Sequence, residues 1–137
     1  MTVTSYEARV KEAVRQASVR GVVVGANRIR TAAIDRILTG IKSGREYRRR
    51  GVTHRASAPS EAFASDTGNA VNLIKMIPDP ATVSATVNFG AAYAPYLEFG
   101  TETMEPRPVA RPAAEQEREN VVGDVRAEIE AALRGLS

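Results

Sequence analysis

The chain has no cysteine, no tryptophan and one histidine, and aromatic residues fill only 5% of its 137 positions. Each shortage excludes something. Without Cys there is no disulfide framework, thiol nucleophile or thiolate metal site. With His54 as the only imidazole, a two-His metal site is impossible, and a His-based triad has one candidate with no evident partner. No apolar run approaches the roughly 18 residues of a membrane span. The opening residues, Met1-Thr2-Val3-Thr4-Ser5, lack the charge-then-apolar pattern of a signal peptide. The simplest expectation is a soluble intracellular protein of one domain, away from membranes and without a cofactor.

The apolar residues that are present are small. They make up 43% of the chain, yet 22 of them are Ala and 15 are Val. Ile, Leu, Val and Phe together number 30, just above the roughly 20% of residues below which chains tend to disorder. So thin a core predicts that part of the burial comes from a partner or from copies of the chain itself. The net charge of +3 conceals an asymmetry: residues 1–68 carry 13 Lys/Arg against 6 Asp/Glu, and residues 69–137 carry 6 against 10. Such a protomer suits front-to-back pairing with its neighbours, or contact of its basic part with nucleic acid.

Four pieces follow along the chain. In residues 4–39, Val10, Val14 and Ala17, then Ala26, Ile29, Ala33 and Ile37, recur at helical spacing. They predict one long helix, capped by Ser5, ended by Gly40 and weakened where Gly21 and Gly25 flank three valines. A helix of that length outreaches a compact domain, so one end should project. Residues 42–68 have little periodicity and read as a mobile basic arm, with six basic residues and the single acid Glu46 between Lys42 and Arg55. Residues 70–101 read as antiparallel sheet. Val71 to Met76 forms a first strand and Ile77-Pro78-Asp79-Pro80 a turn. Val83, Ala85, Val87 and Phe89 alternate with polar residues, and Tyr93 to Phe99 forms a third strand or a strand-like segment interrupted at Pro95. Residues 110–135 read as a helix with Pro112 in its first turn and an apolar stripe of Val122, Val125, Ile129, Ala132 and Leu136. The predicted class is α+β: a long N-terminal helix and a C-terminal helix packed on a small antiparallel sheet, with a long basic loop.

Three features invite chemistry. Asp66-Thr67-Gly68 matches the tripeptide with which homodimeric aspartic proteases place one Asp per chain. Here it follows Phe63-Ala64-Ser65 in a Pro- and Ser-bearing loop rather than ending an apolar strand, so a plain Asp-Gly turn is the simpler reading. Arg45, Arg48, Arg49, Arg50, His54 and Arg55 form the densest basic cluster. It suits phosphate contact or a solvated loop, while Tyr47 alone offers base stacking. Glu98, Glu102 and Glu105 flank Pro106-Arg107-Pro108 and are candidate ion-pair partners for that loop.

Two stretches together resemble one family. The first is Tyr93-Ala94-Pro95-Tyr96-Leu97-Glu98-Phe99-Gly100-Thr101, followed by Pro106-Arg107-Pro108-Val109-Ala110-Arg111-Pro112-Ala113. The second is Ala56-Ser57-Ala58-Pro59-Ser60-Glu61, running into Asp66-Thr67-Gly68-Asn69. They are similar to the neck proteins of long-tailed phages of the HK-ninety-seven type, the gene-product-ten-like family of head–tail connector and tail-completion proteins. Val109 stands where that family's run has Phe, and Ser60 where Gly is common. The resemblance implies a small α+β protomer without catalytic activity. It would assemble into a ring, a hexamer in expectation, at the head-proximal end of the tail, leaving a channel for DNA. Its partners would be copies of itself, a head-closure protein, a tail terminator and the tail tube, with weak contact to passing DNA. It would be made in the host cytoplasm and end in the virion neck. Under this reading Tyr93, Tyr96, Glu98, Phe99, Arg107, Pro108 and Arg111 are subunit or neck contacts, and the basic cluster is an interaction arm. The alternatives left open are a neighbouring neck role, as tail terminator or head-closure protein, and, outside that class, a basic nucleic-acid-binding module or a dimeric aspartic protease.

Overall fold

A computed structural model describes residues 2–64 and 68–136. The long helix is continuous: α1 runs over Val3–Thr39, 37 residues or roughly 55 Å. Its cap is Thr2 rather than Ser5; the Thr2 hydroxyl accepts the Ser5 N–H at 3.1 Å. The chain turns extended at Gly40, as expected of a stop. Residues 2–9 are all exposed, so the N-terminal end is the one that projects.

Gly21 and Gly25 do not weaken α1; they let a second helix in. That helix, α4, spans Ala110–Arg134 and runs antiparallel to α1. A Cβ at Gly21 would lie 2.6 Å from the Val125 Cα, and one at Gly25 2.7 Å from a Val121 methyl. With the buried Ala17 the glycines form a groove of small residues at four-residue spacing, and valine ridges fill it. The packed stripe therefore runs through Val121 and Val125. Val122, expected in it, is half exposed.

Polar residues flank this seam. Arg28 forks onto Asp124 at 2.9 and 2.8 Å, Arg20 meets Glu128 at 3.1 Å, and Arg36 donates to Gln116 at 2.9 Å. The Arg28 guanidinium holds the Asp124 carboxyl below the usual carboxylate range. Two arginines of the basic half, Arg20 and Arg28, are thus paired with acids of the other half within one protomer.

The expected mixed α+β architecture is present, with strands in smaller pairs. β1, Glu46–Arg49, and β2, Val52–Arg55, form an antiparallel hairpin inside the segment expected to be an irregular arm. The stretch expected to start the sheet, Val71 to Met76, begins instead as a helical turn, α2, Asn69–Asn72. β3, Ile74–Asp79, then pairs antiparallel with β4, Ser84–Phe89. The reversal falls at Pro80–Thr82, a 3₁₀ turn closed by Val83 at φ 51°, not at Ile77–Pro80. Pro78 is tolerated because β3 is an edge strand, where a missing N–H costs no ladder bond. The third predicted strand is a helix, α3, Ala94–Phe99, with Pro95 in its first turn.

The β3–β4 pair lies along a second flank of α1. Arg15 donates to the Pro80 carbonyl at 2.9 Å and Arg30 to the Ile74 carbonyl at 2.8 Å, so β3 runs antiparallel to the helix. The core gathers at the C-terminal half of α1, where Ala33, Ile37, Phe63, Ile74, Val109 and Ala113 meet. Among the described residues, Ile74 and Val109 are the largest side chains almost wholly removed from solvent. The core is as alanine-rich as the composition predicts.

Candidate functional site

The two family-like stretches converge at one end of the molecule. Glu98 on α3 accepts the backbone N–H groups of Val109, Ala110 and Arg111 at 2.8, 3.0 and 2.9 Å. The first turn of a helix has unsatisfied donors and a positive dipole end, and one carboxylate answers both. Arg107 ties the intervening loop inward. Its N–H reaches the Leu97 carbonyl at 2.6 Å and its Nε the Ser57 carbonyl at 3.1 Å. Both residues, expected at subunit contacts, hold the protomer's own chain together. Gly100, at φ 76°, makes the turn out of α3; a Cβ there would lie 2.8 Å from the Met104 carbonyl oxygen.

This scaffold presents an aromatic surface. Tyr93 is 44% exposed, Tyr96 59% and Phe99 72%. Behind Phe99 lies an apolar cleft of about 210 Å³ lined by Phe63, Phe89, Pro95 and Val109. A second cleft, of about 270 Å³, sets Phe99, Pro106 and Pro108 beside the charged Glu98, Arg111 and Glu115.

The arm is anchored by a residue that sequence reading passed over. Glu61 accepts the Ser43 N–H at 2.9 Å, the Ser43 hydroxyl and the Ala58 N–H at 2.8 Å. The Ser43 hydroxyl, the Ala58 and Ser43 amides and nearby Lys42 lower its pKa to about 2. In the sequence it only closes the stretch Ala56 to Glu61, two residues after Pro59; in the structure it follows a turn in which Ser60 takes φ 69°. Burial lowers the Lys42 pKa, and its ammonium donates to the Arg36 carbonyl at 3.3 Å.

Beyond this anchor the hairpin stands out with nearly every residue exposed. Tyr47 pairs with His54, their rings stacked at 5.5 Å, and Glu46 meets Arg55 at 2.5 Å across the base. Register puts Tyr47, Arg49, Val52 and His54 on one face and Glu46, Arg48, Thr53 and Arg55 on the other. The two-residue turn is Arg50-Gly51, with φ 52° and 78°. Positive φ at both central residues is what a tight hairpin needs; an L-residue there costs roughly 1–2 kcal/mol that glycine would not. Arg45 lies just before β1 and completes the basic cluster.

Of the Asp66-Thr67-Gly68 motif, Asp66 and Thr67 lie outside the described residues; Gly68, at φ 74°, leads into α2. Among the described residues there is no group of three or more His, Asp or Glu that could hold a metal, and no helix is long and apolar enough to cross a membrane. Comparison of the chain with family models, curated proteins and solved structures found no match.

Proposed function

We propose that this chain is a structural subunit of a ring at the head–tail interface of a long-tailed phage, completing the tail and joining it to the neck around a channel for DNA. The observation that carries the reading is the braced aromatic surface. Phe99 and Tyr96 stand in solvent on a helix held by Glu98 and Arg107, within the stretch that resembles the neck family. A surface so exposed and so firmly held is built to be covered. The thin core, the projecting end of α1 and the two-stranded sheets with open edges support it, since each is completed by a neighbour. In this role the chain does no catalysis; its work is shape and contact.

The test is genetic and physical. Deleting the gene from the producing phage should leave filled heads and separate tails, and micrographs of the purified chain should show rings. Joined, infectious particles made without the chain overturn the reading. Phe99→Ser should keep the melting temperature and lose the ring.

A further inference from the structure

We propose that the β1–β2 hairpin binds the phosphate backbone of double-stranded DNA. The inference deepens the conduit reading above and rests on it for the source of the DNA, but its chemistry stands on the hairpin alone.

Charge comes first. Residues 45–55 hold five arginines and one glutamate, and that glutamate, Glu46, is bound to Arg55 at the ribbon's base. Several basic side chains elsewhere have work inside the fold. Arg15 and Arg30 donate to the carbonyls of Pro80 and Ile74. Arg20 and Arg28 pair with Glu128 and Asp124. The hairpin carries the densest run of exposed positive charge, with Arg48 and Arg55 donating to the Gly51 and Gly44 carbonyls inside the arm.

Geometry comes second. Arg48 lies on one face of the ribbon, Arg49 on the other and Arg50 at the tip. The major groove of B-DNA admits a two-stranded ribbon. A ribbon that reads sequence there lays one face on the base edges. Arginines divided between both faces and the tip match phosphates on either side better than a row of bases. The tip sharpens the point. Arg50 occupies a left-handed position, φ 52°, that Gly or Asn fills with less strain. Local folding does not favour a cation there; an anionic ligand does.

Two competing occupants fit less well. A single strand would need free aromatic faces, and the one aromatic residue with the cluster, Tyr47, is stacked on His54. An acidic patch on a neighbouring copy is the other competitor: Glu102 and Glu105 are exposed, but several further carboxylates are engaged. Glu98 is bound to the start of α4, Glu61 to Ser43 and Ala58, and Asp124 and Glu128 to α1.

The test uses the full-length chain and a mixed-sequence duplex of about 25 base pairs, followed by fluorescence anisotropy between about 50 and 200 mM salt. Four phosphate contacts per hairpin predict a slope of log affinity on log salt near −3.6, about a hundredfold loss over that range. The triple variant R48A/R49A/R50A should lose most of the slope. Arg50→Gly separates binding from folding. It relieves the left-handed strain, so the melting temperature should hold or rise, while the slope falls by about 1. No binding by the wild type at low salt overturns the proposal, as does an Arg50→Gly protein that binds with the unchanged slope. A triple variant that loses its ring yet keeps wild-type DNA affinity also overturns it, assigning the hairpin to a neighbouring copy. A monomer that binds with the predicted slope upholds the hairpin and removes the ring reading; a ring that ignores DNA does the reverse.

Discussion

Gly25 lies against Val121 so closely that a β-carbon on the glycine would stand 2.7 Å from the valine Cγ1. The contact reverses an ordinary expectation. Ala is the better helix former by about 1 kcal/mol, yet at Gly25 and Gly21 it should destabilise. At Gly21 the obstructing atom is the Val125 Cα, which cannot swing aside. Gly21→Ala and Gly25→Ala should each lower the unfolding free energy by about 1–3 kcal/mol, Gly21→Ala the more. Gly123, on α4 with nothing within 4 Å of its would-be Cβ, is the control: Gly123→Ala should stabilise by about 0.5–1 kcal/mol. Denaturant titration of the three variants checks the signs.

Glu98 is the support of α4. Glu98→Ala removes a carboxylate that accepts three backbone amides and should cost about 1–2 kcal/mol. Glu98→Gln, which keeps an acceptor oxygen but loses the charge, should cost less. Hydrogen exchange at Val109, Ala110 and Arg111 should accelerate in the Ala variant before the rest of α4 responds.

Acid should loosen the base of the arm. Glu61 has its pKa lowered from 4.5 to about 2, so the folded state favours its ionised form. Its contribution to stability is present above about pH 4.5 and is lost as pH falls toward 2. Melting temperatures of the wild type should therefore fall faster through that window than those of Glu61→Gln, which starts lower and is flatter. Equal pH dependence in the two proteins would show that the Ser43 and Ala58 contacts do not hold in solution.

The overhang of α1 should be dispensable for folding and needed for assembly. Residues 2–9 are exposed throughout, so removing residues 1–9 should change stability by no more than about 0.5 kcal/mol. Light scattering of the shortened chain should then report a smaller assembly than the full-length protein.

The α+β class, the two long helices, the β4 alternation and the projecting end were legible because each follows from periodicity or length. Three features were not. Gly21 and Gly25 read as weak points because propensity is local, whereas their value lies in Val121 and Val125, about a hundred residues away in sequence. Tyr93 to Phe99 holds about two helical turns, too short for a period of 3.6 to separate from one of 2. The 46–55 hairpin has Arg-Gly at its turn instead of the Asn-Gly that announces one. Of the candidate site, the arginine cluster was found from its charge density and the aromatic residues from the family resemblance. The inward roles of Glu98, Arg107 and Glu61 were hidden, because their partners are backbone amides and carbonyls, which every residue carries alike.

Because α1 is unbroken from Val3 to Thr39, its free tip is phase-locked to the glycine groove. One residue inserted between Arg9 and Ala17 would swing Tyr6 about 100° around the axis and advance it by about 1.5 Å. Seven would return it to within about 20° of its bearing but some 10 Å further out. Change in this stretch is therefore confined to substitution, and the helix sets both the reach and the compass heading of whatever the tip meets.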